Sequence, residues 1–136
     1  MRPPEEVKKK IVRQWLAKAE QDMKACETLR SADPSSPYPA CFHAQQAAEK
    51  YLKALLTWHQ VEFSKTHAIE RLLDMLKKPD PDTAFALADA AMLTPYGVDI
   101  RYPGDQPDPD IEEVHEASAL ARKVKKIVSD RLKENR

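Results

Sequence analysis

Eleven prolines constrain this chain more than any other feature, because proline disfavours helix in the residue before it and breaks any helix interior it enters. They cluster at Pro3 and Pro4, at Pro34, Pro37 and Pro39, at Pro79 and Pro81, and at Pro103, Pro107 and Pro109, with Pro95 alone. Elsewhere apolar residues recur at helical spacing. Val7, Ile11, Trp15, Ala19, Met23, Cys26 and Leu29 step by three and four, which predicts a helix from about Glu5 to Arg30. Cys41, Ala44, Ala48, Leu52 and Leu55, widened by Phe42, Tyr51 and Trp58, predict a second from about Tyr38 to His59. Ile69, Leu72, Leu73 and Leu76 predict a short third, capped by Thr66 and stopped before Pro79. An alanine-rich fourth, capped by Asp82, is expected from Thr83 to about Leu93, where Pro95 and Gly97 would kink or end it. After an Asp110 cap, Ile111, Val114, Ala117, Ala121, Val124, Val128 and Leu132 line one side of a last helix, whose final turns carry the cations that suit a helix C-terminus.

With Gly97 and Gly104 as its two glycines, the chain lacks the turn chemistry of sandwiches and barrels. Helices joined by short loops pack as neighbours, so the expected fold is all-α: an antiparallel up-and-down bundle of four long helices plus one short helix across an end. At 136 residues one core should serve the whole chain, giving a single domain over 1–136. No apolar run approaches the roughly 20 residues of a membrane span, and no signal-peptide pattern follows Met1, so a cytoplasmic protein is expected. Cys26 and Cys41 fall at apolar helix positions and read as small buried hydrophobes.

Charge is balanced at 22 basic and 22 acidic residues, so any nucleic-acid site must be a local patch. One candidate lies on the second helix. His43, Gln46, Lys50 and Lys53 are spaced three, four and three apart and share a sector roughly 80° wide, where they could contact phosphates and read a base edge or ribose. The alternative is a solvated face on which Glu49 neutralises Lys53 at i, i+4. The second candidate is the tract from Thr94 to Pro103, in which Arg101 could fork onto a phosphate and Tyr96 or Tyr102 stack on a base. Equally, Asp99 and Arg101 could pair with other helices while the tyrosine rings seal the bundle end. The histidines at 43, 59, 67 and 115 show neither HExxH nor paired-cysteine spacing, and the two glycines cannot build a phosphate loop. No metal and no cofactor is therefore expected, and His67, in Ser64-Lys65-Thr66-His67, reads as a capping or packing residue.

The run Ala40-Cys-Phe-His-Ala-Gln-Gln-Ala-Ala-Glu-Lys-Tyr-Leu-Lys-Ala-Leu55 closely resembles the HEPN family of higher-eukaryote and prokaryote nucleotide-binding domains. Trp15, Ala19 and Asp22, then Lys65-Thr66-His67, then Tyr96 with Asp99-Ile-Arg-Tyr-Pro103 resemble the family's other landmarks in the same order. The resemblance implies a bundle of four or five helices, a homodimer, and in prokaryotes a minimal nucleotidyltransferase partner in a toxin–antitoxin pair. It also implies Tyr102 or Tyr96 as an acceptor for nucleotidylation. The chain departs from the family's ribonuclease pattern, an arginine with four to six residues before a histidine, since no arginine stands there before any of its histidines. The resulting expectation is a binding module that engages a nucleotide, RNA or a nucleotidyltransferase through His43, Gln46, Lys50, Lys53, Tyr96, Asp99, Arg101 and Tyr102. Two alternatives stand beside it: a metal-independent endoribonuclease in which His43 and Arg101 meet across the fold, and a purely structural dimerising protein.

Overall fold

A computed structural model describes residues 4–32, 36–97, 104 and 107–134. Among these described residues, six helices follow in order: α1 (Glu5–Ala32), α2 (Pro37–Trp58), α3 (Ile69–Leu76), α4 (Pro81–Ala86), a 3-10 helix (Ala88–Gly97) and α5 (Ile111–Glu134). No helix among them is long and apolar enough to cross a membrane.

The second helix is the centre of the bundle because most of its circumference is buried, apolar on one side and internally paired polar on the other. Ala40, Cys41, Ala44, Ala47, Ala48, Leu52, Ala54, Leu55 and Leu56 are all buried. Each fully buried leucine there contributes about 2 kcal/mol of apolar transfer. Helix α1 packs antiparallel to α2, as Tyr51 donating to Glu20 and Lys8 lying 4.1 Å over the Trp58 ring show at successive levels. Against α5 the pairs are Glu27 with Ser118 and Glu20 with Lys125, so α1 and α5 are also antiparallel. The chain returns between α2 and α5 through α4 and the 3-10 helix, where Asp80 meets Arg131, Asp89 meets Lys123 and Tyr96 meets Glu113. The all-helical bundle expected from the spacing is thus present, with up-and-down direction.

Its fourth member differs from the expected long α-helix. Asp80, not Asp82, caps α4 by accepting from the Thr83 amide, and α4 ends at Ala86. From there Leu87, Ala90 and Leu93 are buried at intervals of three, with Tyr96 next and partly buried. That is the period of a 3-10 helix, and its rise of about 2.0 Å per residue lets a short segment span more of the bundle than an α-helix would. Thr66 is also not the cap of α3. Its hydroxyl accepts from the Ala68 amide, while Thr94 of the 3-10 helix accepts from the Ile69 amide and donates to Glu70. At α5 the expectation holds: the Asp110 carboxylate accepts from the Glu113 amide and Glu113 returns the bond, a reciprocal cap.

The stripe on α1 starts later than expected, with Val7 43% and Ile11 36% exposed and Val12 the first buried apolar residue. Each step of four residues advances about 40° around a helix, so Val7 stands about 120° from Ala19. Ile111 likewise lies outside the core, at 53% exposure. Cys26 and Cys41 are both buried, and burial, with Glu27 and with Cys26 and Glu113 respectively, pushes their thiols up to about 11 and about 12. They stay protonated and inert as nucleophiles.

At the end of α2 the His59 Nε2 is buried without a hydrogen-bond partner. Burial, helped by the Lys8 charge and opposed by Asp80, lowers the His59 pKa from 6.5. The unfolded chain therefore binds the proton more readily, so stability is complete above about 6.5 and falls as pH drops through that value toward the folded one. Urea midpoints measured at pH 7.5 and pH 5.5 should diverge less in a His59→Phe variant than in the native protein, the remaining titrating groups being common to both.

A polar face on helix α2

Helix α2 carries a band of polar residues that its apolar neighbours force into internal pairing. Buried charge is tolerated only when partnered, and two carboxylates organise the partners. The first is Asp22, which continues the spacing of Ala19 and Cys26 on α1 and is 9% exposed. Its Oδ1 lies 2.9 Å from His43 Nδ1, and its Oδ2 accepts from Lys50 Nζ. An ionised carboxylate only accepts, so His43 Nδ1 carries the proton and Nε2 is left for solvent or a ligand. His43 and Lys50 retain 32% and 22% side-chain exposure, so they stand at the rim of the pair and not beneath it.

The second carboxylate is Glu49, with 4% side-chain exposure. Its Oε2 accepts from Lys53 Nζ at 2.9 Å, the i, i+4 pairing weighed from spacing alone, and its Oε1 lies 2.9 Å from His67 Nδ1. Lys53 also sits 5.5 Å from the Trp15 ring centroid and 5.6 Å from that of Phe63, within cation–π range. Gln45, fully buried, donates to the His67 carbonyl at 2.8 Å and to Glu49 at 3.2 Å, and its own oxygen accepts from Gln46 at 2.7 Å. Every carboxylate oxygen in this band is engaged.

Four of the residues singled out by spacing thus do share one face, but they divide between two clasps: His43 and Lys50 on Asp22, Gln46 and Lys53 on the Gln45–Glu49 network. Lys53 is 7% exposed and committed to Glu49. Tyr96 lies elsewhere around α2. Its ring meets Tyr38 edge-on at 6.4 Å, its carbonyl accepts from the Tyr38 hydroxyl at 3.3 Å, and its own hydroxyl donates to Glu113 at 3.4 Å. Burial, then Cys41 and Glu113, pushes the Tyr96 phenol up to about 12, so it stays protonated. Tyr38 and His43 are five residues apart, which places them about 140° apart on the helix. Asp99, Arg101 and Tyr102 lie outside the described residues.

The link between the two regions is Gly97, the residue after Tyr96. A methyl carbon on Gly97 would fall 2.9 Å from Gln45 Cδ, so backbone and amide are in direct contact. The 3-10 helix therefore ends against the residue that binds both Gln46 and the His67 backbone. Spacing arguments missed Asp22, Gln45 and the role of His67. An acid inside the Ala19–Cys26 stripe was the available signal, because a charge there must find a buried partner.

On the far side, α1 and α5 leave an open groove of about 570 Å³ lined in part by Glu27, Arg122, Lys125, Lys126 and Lys133. Three of its cations are matched locally: Arg122 with Glu27, Lys125 with Glu20, Lys126 with Asp130. Burial opposes ionisation of Glu27, but the Ser118 and Arg30 hydrogen bonds and the Arg30 and Arg122 charges outweigh it and hold the carboxyl below its ordinary range. Among the described residues, no group of three or more His, Cys, Asp or Glu is placed to hold a metal ion.

A profile of the HEPN domain matches residues 12–132. Among solved structures, TT1696 from Thermus thermophilus is 31% identical with a TM-score of 0.72, covering 88% of this chain and 96% of that one. ST0689, an archaeal HEPN homologue, is 26% identical with a TM-score of 0.69 over the same shares of the two chains. No curated protein matches. A match across helices α1 to α5, joined to an archaeal HEPN homologue of the same fold, means that this chain belongs to the HEPN domain family.

Proposed function

We propose that this HEPN domain is a binding module that engages single-stranded RNA, or a nucleotide from it, on the α2 face around His43, Gln46 and Lys50. The observation that carries the reading is the Asp22 clasp: one buried carboxylate orients both His43 and Lys50 while each keeps an exposed edge. Lys50 already neutralises Asp22, so the second contact orders an imidazole that charge balance does not require. The same ordering lowers the cost of meeting a ligand. In this reading Asp99, Arg101 and Tyr102 add to the ligand surface, while Tyr96, paired with Tyr38 and Glu113, stands apart from it.

Fluorescence anisotropy with a labelled single-stranded RNA 12-mer tests the reading. His43→Ala is expected to weaken binding by about tenfold, the worth of one hydrogen bond, with the helical circular dichroism unchanged. Equal affinity in the variant would remove His43 from the site. The family resemblance extends the proposal to a homodimer, for which exposed Val7 and Ile11 supply apolar surface, and to a minimal nucleotidyltransferase partner in a toxin–antitoxin pair. Co-purification from the native cell tests both.

A second reading, RNA cleavage without metal, is favoured by one observation. An imidazole whose Nδ1 is held by a carboxylate presents Nε2 as a general acid or base. Incubation of RNA with the protein in chelator separates the two readings: products that vanish in His43→Ala would make the domain an enzyme.

A further inference from the structure

We propose that His67 is a second ligand-contacting imidazole of this face and that Glu49 is its positioning residue, an inference that rests on the RNA-binding reading above. The His67 side chain is 68% exposed, yet its Nδ1 lies 2.9 Å from a carboxylate that is 4% exposed. Glu49 already has a counter-charge in Lys53, so the imidazole is not needed to neutralise it. The His67 backbone is held separately, its carbonyl accepting from Gln45. An exposed side chain anchored at two points gains little for folding from a solvent-facing pair. What the anchoring does determine is direction: with Nδ1 donating to Glu49, Nε2 faces outward, as it does in His43.

Gln46 lies three residues beyond His43 on α2 and is hydrogen-bonded to the Gln45 amide that grips the His67 carbonyl. The face thus presents an imidazole, an amide and an imidazole, with His43 held by Asp22 and Gln46 tied through Gln45 to the His67 carbonyl. With Nδ1 donating inward, each imidazole accepts at Nε2, while the Gln46 amide can both donate and accept. Its charges cancel in pairs, Asp22 with Lys50 and Glu49 with Lys53. A face of this kind recognises through hydrogen bonds, not through accumulated positive charge. It suits the ribose hydroxyls and the amino groups of base edges of a short single-stranded RNA, with a shallower salt dependence than a phosphate clamp shows.

Nitrogen-15 spectra of the histidine rings, recorded with and without the RNA 12-mer, test the proposal. Without RNA, His43 and His67 are both expected as the Nδ1–H tautomer, a signature that mere surface packing would not impose. On adding RNA both Nε2 resonances should shift. His67→Ala, truncating an exposed side chain, should bind about tenfold more weakly with its fold intact, whereas His115→Ala on α5 should bind within about twofold of the native protein. Movement of His43 alone, a mixed tautomer at His67, or native affinity in His67→Ala would overturn this inference while leaving the RNA reading standing. If neither ring responds to RNA, or both respond only to an added nucleotidyltransferase, the RNA reading fails and the inference goes with it.

Discussion

Glu49→Ala is expected to destabilise the protein by about 3–5 kcal/mol, the usual result of removing one partner from a buried ion pair. The loss would exceed that of a single contact because one carboxylate serves three donors. Lys53 would be left 7% exposed with no counter-charge, Gln45 would lose one of its two acceptors, and His67 would lose its anchor. Lys53→Met in the same chain should restore more than half of the loss, because a thioether can pack against the Trp15 and Phe63 rings and needs no partner. A denaturant double-mutant cycle measures the difference. If Glu49→Ala cost less than about 1 kcal/mol, the pair would behave as an exposed one and the network would not be the buried unit described.

Gly97→Ala should cost about 1–3 kcal/mol through overpacking. The added carbon would fall 2.9 Å from Gln45 Cδ and 3.0 Å from its amide nitrogen, closer than side chains approach without moving. Gln45 has little freedom to yield, since it is fully buried and bonded to Gln46, Glu49 and the His67 carbonyl. The clash should therefore show in two measurements: a lower urea midpoint, and altered amide resonances in the segment around His67, far along the chain from residue 97. Native stability with unchanged His67 resonances would mean that the 3-10 helix does not bear on Gln45.

Much of this was legible in the sequence where physics acts locally. Helical spacing marked α1, α2, α3 and α5 to within a few residues, and Asp110 was read as the cap it forms. The 3-10 helix was readable too, since Leu87, Ala90, Leu93 and Tyr96 fall at intervals of three, but an alanine-rich run invites an α-helix until that period is noticed. The caps of α3 and α4 were misplaced for different reasons. Asp80 stands two residues before Asp82 and both suit a cap, whereas the Ile69 amide is satisfied by Thr94 from a distant segment, which no local rule can foresee. The site followed the same division. The shared sector of His43, Gln46, Lys50 and Lys53 follows from helix geometry, but which neighbour each would meet depends on how α1 and the His67 segment pack.

That α2 is enclosed on most sides has a consequence for the orientation of its polar band. Turning this helix by a single residue position, about 100°, would swing leucines into water and drive charges among alanines. Two clasps oppose such a turn from different sides, Asp22 reaching in from α1 and Glu49 gripping the segment that carries His67. The azimuth of the central rod is thereby set by its own amino acids, and whatever meets the outer edges of His43 and Gln46 encounters a surface as stiff as the interior beneath it.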